Sequence, residues 1–160
     1  VKKITSIANS TLFNGVASIP EDPYIILAAD SHLGAVWKVD LRTGAYDVAF
    51  ADPLFETRPD LPLSGANLGI DGIKIWDKYL YWANSIHNQI GRVKINEKGE
   101  KIGPLEVVAT IENTVEIDDL DFDSYGDIWI TSPVVGKVVW LSADGKQQLI
   151  IDDSSVVAGA

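Results

Sequence analysis

Short runs of β-branched and aromatic residues alternate along this chain with clusters of Gly, Pro, Asn, Asp and Ser. Within the runs, apolar and polar positions change places every residue or two, the period of half-buried strands, and the clusters between them carry turn chemistry. Twelve such runs fall into three sets of four. The first set reads Val16–Ile19, Tyr24–Ala29, Ala35–Val39 and Tyr46–Phe50. The second reads Ile73–Trp76, Tyr79–Ala83, Arg92–Ile95 and Leu105–Ala109. The third reads Leu120–Phe122, Ile128–Thr131, Lys137–Leu141 and Gln148–Ile151.

The sets repeat in register. Each opens on a polar pair (Asn14-Gly15, Asp71-Gly72, Asp118-Asp119) and turns after its first strand at Glu21-Asp22-Pro23, Asp77-Lys78 or Ser124-Tyr125-Gly126. A Ser follows the second strand (Ser31, Ser85, Ser132) and then a Gly (Gly34, Gly91, Gly136). The last hairpin turns at Thr43-Gly44, Lys98-Gly99 or Asp144-Gly145, where Gly supplies the conformations a tight turn needs. A recurring four-stranded unit is the signature of a β-propeller blade, and a β-sandwich has no reason to repeat polar residues in register. The fold class is therefore all-β, a single partial β-propeller domain over residues 1–160 with blades at about 14–52, 71–110 and 118–152. Residues 3–8 read as the outer strand of a preceding blade. The Pro- and Gly-rich connection from Pro53 to Gly69 is expected to cross one face of the propeller, where binding loops sit.

Three blades and a strand cannot close a ring. The remaining blades are expected from the rest of the chain or from another chain, and Met is absent even at position 1, as in a piece of a longer polypeptide. Composition adds few constraints. A net charge of −10 with no Lys/Arg cluster argues against nucleic acid, and no apolar run is long enough for a membrane span. Without Cys there are no disulfides or thiolate metal sites. The triplet Asn9-Ser10-Thr11 is an N-glycosylation sequon, which places a glycan candidate on Asn9 if the protein is secreted; the sequence does not fix the compartment.

Several stretches carry a resemblance: Leu12–Pro20, Ala28–Val48, Asp71–Ser85 and Asp118–Ser132. They resemble the six-bladed propellers of the regucalcin/gluconolactonase (senescence marker protein) superfamily, and within it a fungal branch. The resemblance implies a divalent cation, Ca²⁺ or Mg²⁺, in the central tunnel, held by oxygen ligands at the starts of innermost strands. Those positions match Asn14, Asp71 and Asp118 here, with Asp118 as catalytic base. Asn14 stands where the family has Glu, Asp71 where it has Asn, and the fourth ligand has no counterpart.

The residues allow the same chemistry on their own terms. Carboxylate and amide oxygens converging on a channel suit a hard cation, which would polarise a lactone carbonyl while a nearby Asp accepts a proton. Without a cation, Asp71, Asp118 and Asp119 crowd like charges and at least one pKa is expected to rise. The plainer alternative is that these groups cap strand ends. Asn84, Ser85, Asp119, Trp82, His32 and His87 are the further ligand-binding candidates, with the two His on loops after the second strands. Three functions remain open for a small-molecule substrate: metal-assisted lactone hydrolysis, a metal-free hetero-Diels–Alder pericyclase of fungal secondary metabolism, which the resemblance to the fungal branch implies as an alternative, and binding without catalysis.

Overall fold

The computed structural model describes residues 2–62 and 67–155. Three four-stranded antiparallel sheets follow one another in chain order. The first contains β1 (Phe13–Ile19), β2 (Asp22–Asp30), β3 (Ala35–Asp40) and β4 (Tyr46–Ala51). The second contains β5 (Ile70–Trp76), β6 (Tyr79–Asn84), β7 (Gln89–Ile95) and β8 (Lys101–Thr110). The third contains β9 (Leu120–Phe122), β10 (Ile128–Ser132), β11 (Lys137–Leu141) and β12 (Gln147–Asp152). Every sheet is a meander in which each strand pairs with its sequence neighbours. Two short 3₁₀ turns, Pro53–Phe55 and Pro133–Val135, are the only helical elements among the described residues, and no helix is long and apolar enough to cross a membrane.

Apolar side chains fill the spaces between sheets. One core joins the first and second blades through Leu27, Val36, Phe50, Ile73, Leu80 and Trp82. A second joins the second and third through Tyr81, Ile90, Leu120, Ile130, Val139 and Leu141. Alternate residues of one strand therefore serve different cores, as the two-residue period of a strand requires. Trp82 and Tyr81 show this directly.

The ladders correct two details of the repeat. Pairing of Asp30 with Ala35, Asn84 with Gln89 and Ser132 with Lys137 makes Asp30, Asn84 and Ser132 equivalent, so Ser132 matches neither Ser31 nor Ser85. The left-handed turn position is then held by Gly34 (φ 66°), Asn88 (φ 52°) and Gly136 (φ 62°). Gly91 lies instead within β7 opposite Trp82, where an added Cβ would fall 2.0 Å from the indole ring. It is glycine because the ring occupies its side-chain space. Residues 3–8 form no strand; Ile4 and Thr5 lie beside Gly44, and the Ala8 N–H donates to the Tyr46 hydroxyl at 3.2 Å.

Candidate functional site

The polar pairs that open each blade share one backbone device. In β1 and β5 the register shifts between Phe13 and Val16 and between Ile70 and Ile73. Two residues, Asn14-Gly15 or Asp71-Gly72, thus stand where the partner strand offers one. In the third blade the Asp118 N–H donates to the Thr131 carbonyl (2.8 Å) and the Thr131 N–H to the Asp119 carbonyl (3.1 Å), again two residues on one. Each is a β-bulge, which re-aims side chains at the rim of a sheet.

The bulges also bring neighbouring blades together. A Cβ on Gly15 would lie 2.5 Å from the Asp71 carbonyl oxygen, and one on Gly72 would lie 2.4 Å from Asp119 Oδ1 and 3.0 Å from the Asp118 carbonyl oxygen. Backbone therefore touches backbone from the first inner strand to the second and from the second to the third. Asn14, Asp71 and Asp118 occupy equivalent places along this row.

Their environments differ. Asn14 is exposed, Asp118 is half-buried and Asp71 is 1% exposed. Asp71 Oδ1 has no hydrogen-bond partner among the described residues. Burial, followed by the charge of Asp118 and a smaller push from Asp119, raises its pKa to about 7. Asp118 is raised by burial and then by Asp119. Asp119 takes another course, with Lys74 Nζ 3.4 Å from its Oδ2 and its Oδ1 accepting the Leu120 N–H at 2.8 Å. The site thus holds a protonatable acid, a half-buried acid and a carboxylate paired with Lys74.

The connection from Pro53 to Gly69, of which residues 63–66 lie outside the described ones, is bonded to the ends of the second strands of the first two blades. The Gly69 N–H donates to the Ser31 carbonyl at 3.0 Å, and the Ser85 N–H donates to the Gly69 carbonyl at 3.0 Å. Asn84 is committed to the same segment: its amide donates to the Leu54 and Glu56 carbonyls at 3.0 and 3.1 Å and accepts the His87 N–H at 3.3 Å. It anchors the connection. Ser85 donates to the Ile117 carbonyl at 2.6 Å, fixing the residue before Asp118. Trp82 is fully buried between blades against Phe55, 5.4 Å between ring centroids; it packs there because β6 points it toward the first blade. His32 is half-buried and His87 is exposed. Asn9 is exposed in a left-handed turn, while the Thr11 hydroxyl of the same sequon donates to Asp30.

Sequence reasoning passed over Asp30 and Lys74. Asp30 is fully buried and accepts the N–H groups of Thr11 (2.9 Å), Leu12 (3.0 Å) and Leu33 (3.3 Å), the Thr11 hydroxyl and the Trp37 indole (3.2 Å). Burial pushes its pKa up, but these donors outweigh it and the net shift is downward. Its signal was a lone acid at the end of an apolar strand, which requires partners once buried. Lys74 had a weaker signal, a charge inside a strand otherwise read as core.

A meander of four-stranded sheets, joined face to face and touching along their first strands, has one architecture. The fold is that of a β-propeller. Solved structures agree: a streptogramin B lyase matches with a TM-score of 0.63 at 18% identity, over 90% of this chain and 41% of that one. A protein provisionally identified as a gluconolactonase matches with a TM-score of 0.63 at 16% identity, over 91% and 50%. The calcium-binding protein regucalcin of Agrobacterium tumefaciens matches with a TM-score of 0.57 at 21% identity, over 85% and 43%. At such identities the likeness is one of fold. In sequence, the chain is similar to a Phoma sp. protein provisionally named a hetero-Diels-Alderase, 31% identical over 138 residues, covering 76% of this chain and 39% of that protein. A Sarocladium schorii protein of the same provisional name is 26% identical over 105 residues, 57% of this chain and 26% of its own length. The chain spans well under half the length of these relatives. No family model matches it.

Proposed function

We propose that the complete protein is a small-molecule enzyme of the hetero-Diels–Alder type, in which Asp71 is a neutral acid that donates a hydrogen bond to a substrate heteroatom. The observation that carries this reading is Asp71 itself: buried, raised to about 7, and left with an unpartnered Oδ1 beside Asp118. Similarity to the two fungal proteins named for that reaction supplies the chemistry to test.

In such a cycloaddition four π electrons of a diene and two of its partner become two σ bonds and one new π bond. No atom leaves and none is added. Catalysis then consists of holding the two π systems in reacting geometry and withdrawing electron density through the heteroatom. A protonated carboxyl does the second by donating to a carbonyl oxygen, and the proton stays on Asp71 throughout. Asp118 keeps that proton in place, because two adjacent carboxylates resist ionising together. Lys74 pairs with the far side of Asp119, its Nζ 3.4 Å from Oδ2.

One observation favours a second reading, metal-assisted lactone hydrolysis. Asn14, Asp71 and Asp118 occupy equivalent bulges on neighbouring inner strands, and their amide and carboxylate oxygens are the donor type that a hard cation takes. The orphaned Asp71 Oδ1 would be one ligand, with Asp118 and Asn14 beside it. A cation there would supply polarisation of the substrate carbonyl. Among the described residues no group of three or more His, Asp or Glu side chains converges on a metal position, so this reading needs Asn14 as a ligand.

The two readings separate in one experiment. Ring closure of an unsaturated ketone tethered to an alkene, and opening of a γ-lactone, are assayed with and without a chelator. The first reading expects ring closure that the chelator leaves unchanged. Lactone opening abolished by the chelator would replace it with the second.

A further inference from the structure

The turn between β6 and β7, Ser85–Asn88, holds the backbone that leads into both acids of the site. On one side the Ser85 and Ile86 N–H groups donate to the Gly69 and Leu68 carbonyls at 3.0 and 2.9 Å, just ahead of Asp71. On the other side lies Ile117, the residue before Asp118, and both of its backbone polar groups are taken. Its carbonyl accepts the Ser85 hydroxyl at 2.6 Å, and its N–H donates to Asn88 Oδ1 at 3.3 Å. One turn of the second blade thus ties the segment that delivers Asp71 to the segment that delivers Asp118.

Asn88 is where this turn departs from its equivalents. Gly34 and Gly136 hold the same left-handed position in the other two blades, whereas Asn88 adopts it at φ 52°. Glycine enters that region without steric cost, so an Asn kept there has a use for its side chain. The use is visible in the bonds. The Asn88 carbonyl accepts the Ile111 N–H at 2.7 Å while its amide oxygen accepts the Ile117 N–H, so the connection between the second and third blades leaves from and returns to one residue. Ile111 and Ile117 are both buried. Between them Asn113 (φ 57°) and Glu116 (φ 54°) are also left-handed, a costly conformation for Glu that persists only where surrounding contacts fix it. Glu116 immediately precedes the clasped Ile117.

We infer that Asn88 is a positioning residue for the acid pair: its side chain fixes Ile117 and thereby the place of Asp118 beside Asp71. This geometry is independent of the reaction; its consequence for catalysis rests on the cycloaddition proposed above. A misplaced Asp118 would leave both acids present and the substrate still able to bind, so the loss falls on the chemical step.

In the complete protein, Asn88→Gly keeps the turn, as Gly34 and Gly136 do, and removes the side-chain clasp; Asn88→Asp restores an acceptor oxygen. Hydrogen exchange at the Ile117 amide and the backbone amide resonance of Asp118 read the geometry without substrate. Asn88→Gly is expected to speed Ile117 exchange by about 10-fold and to move the Asp118 resonance, and Asn88→Asp to return both toward the parent. In ring closure Asn88→Gly is expected to lower kcat by about 10-fold with KM changed by less than about twofold, again recovered by Asn88→Asp. An Ile117 amide and an Asp118 resonance untouched by Asn88→Gly would overturn the inference, and so would a loosened Ile117 with kcat unchanged. A parent protein that closes no ring would instead remove the proposed function, and the exchange and resonance data would still decide for or against Asn88.

Discussion

At the scale of residues, one buried carboxyl sets the pH behaviour of the site. Burial and then the charge of Asp118 push the Asp71 carboxyl up from 3.8 to about 7, so that a large fraction of it carries its proton near neutral pH. A raised carboxyl favours folding only while protonated. Its penalty is absent below pH 4 and grows as the pH rises from there to about 7, reaching at most about 4 kcal/mol. Asp71→Asn removes the titration, so the variant should melt higher than the parent at pH 8 and equally at pH 4. Its amide can still donate, and ring closure should survive within roughly 10-fold, whereas Asp71→Leu should lose roughly 10–100-fold. A stabilising change that costs activity is the pattern expected where function holds a group in an unfavourable state. Asp30 has the opposite sign: its pKa is lowered, so its contribution is present above the ordinary carboxylate range and fades as the pH falls through the folded value. Thermal melting between pH 3 and 9 should therefore peak in mild acid, with Asp71→Asn flattening the alkaline limb. Packing at Gly91 gives a separate check. A methyl group there meets the Trp82 ring at 2.0 Å, and Gly91→Ala should cost about 3 kcal/mol in chemical denaturation.

At the scale of elements, the hairpin between β5 and β6 turns through Asp77 (φ 45°) and Lys78 (φ 65°), both in the left-handed region that Asn and Gly occupy more cheaply. Asp77→Asn with Lys78→Gly should add about 1 kcal/mol, read as a higher denaturant midpoint at unchanged slope. The elements themselves were legible because turn residues and two-residue periodicity recur three times. What the sequence left hidden is register. A Ser after the second strand looked equivalent in all blades, but Ser132 sits one place earlier than Ser31 and Ser85. The Gly at 91 looked like a turn glycine because Asn88, which occupies the turn, is not a glycine. Neither slip shows without the ladder, since a Ser or a Gly near the hairpin does not itself fix which residues pair across it. The row of Asn14, Asp71 and Asp118 was legible from the repeat, while the division of labour within it was not. Burial of Asp71 depends on the connection from Asp52 to Gly69 and on its neighbour blade, and both are long-range contacts. Trp82, a ligand-binding candidate in the sequence, is turned by β6 into the core, where Phe55 meets it.

At the scale of the molecule, the inner strands of three blades touch in sequence, and the candidate site lies along that inner row. The proposed role of Asp71 as a neutral acid can be measured without knowing the substrate. The side-chain carboxyl carbon of Asp71 is assigned by comparison with Asp71→Asn and followed by ¹³C NMR across the pH range. A titration midpoint near 7 is predicted. A midpoint in the ordinary carboxylate range would mean that Asp71 is ionised at neutral pH and cannot donate the hydrogen bond on which the proposed catalysis rests.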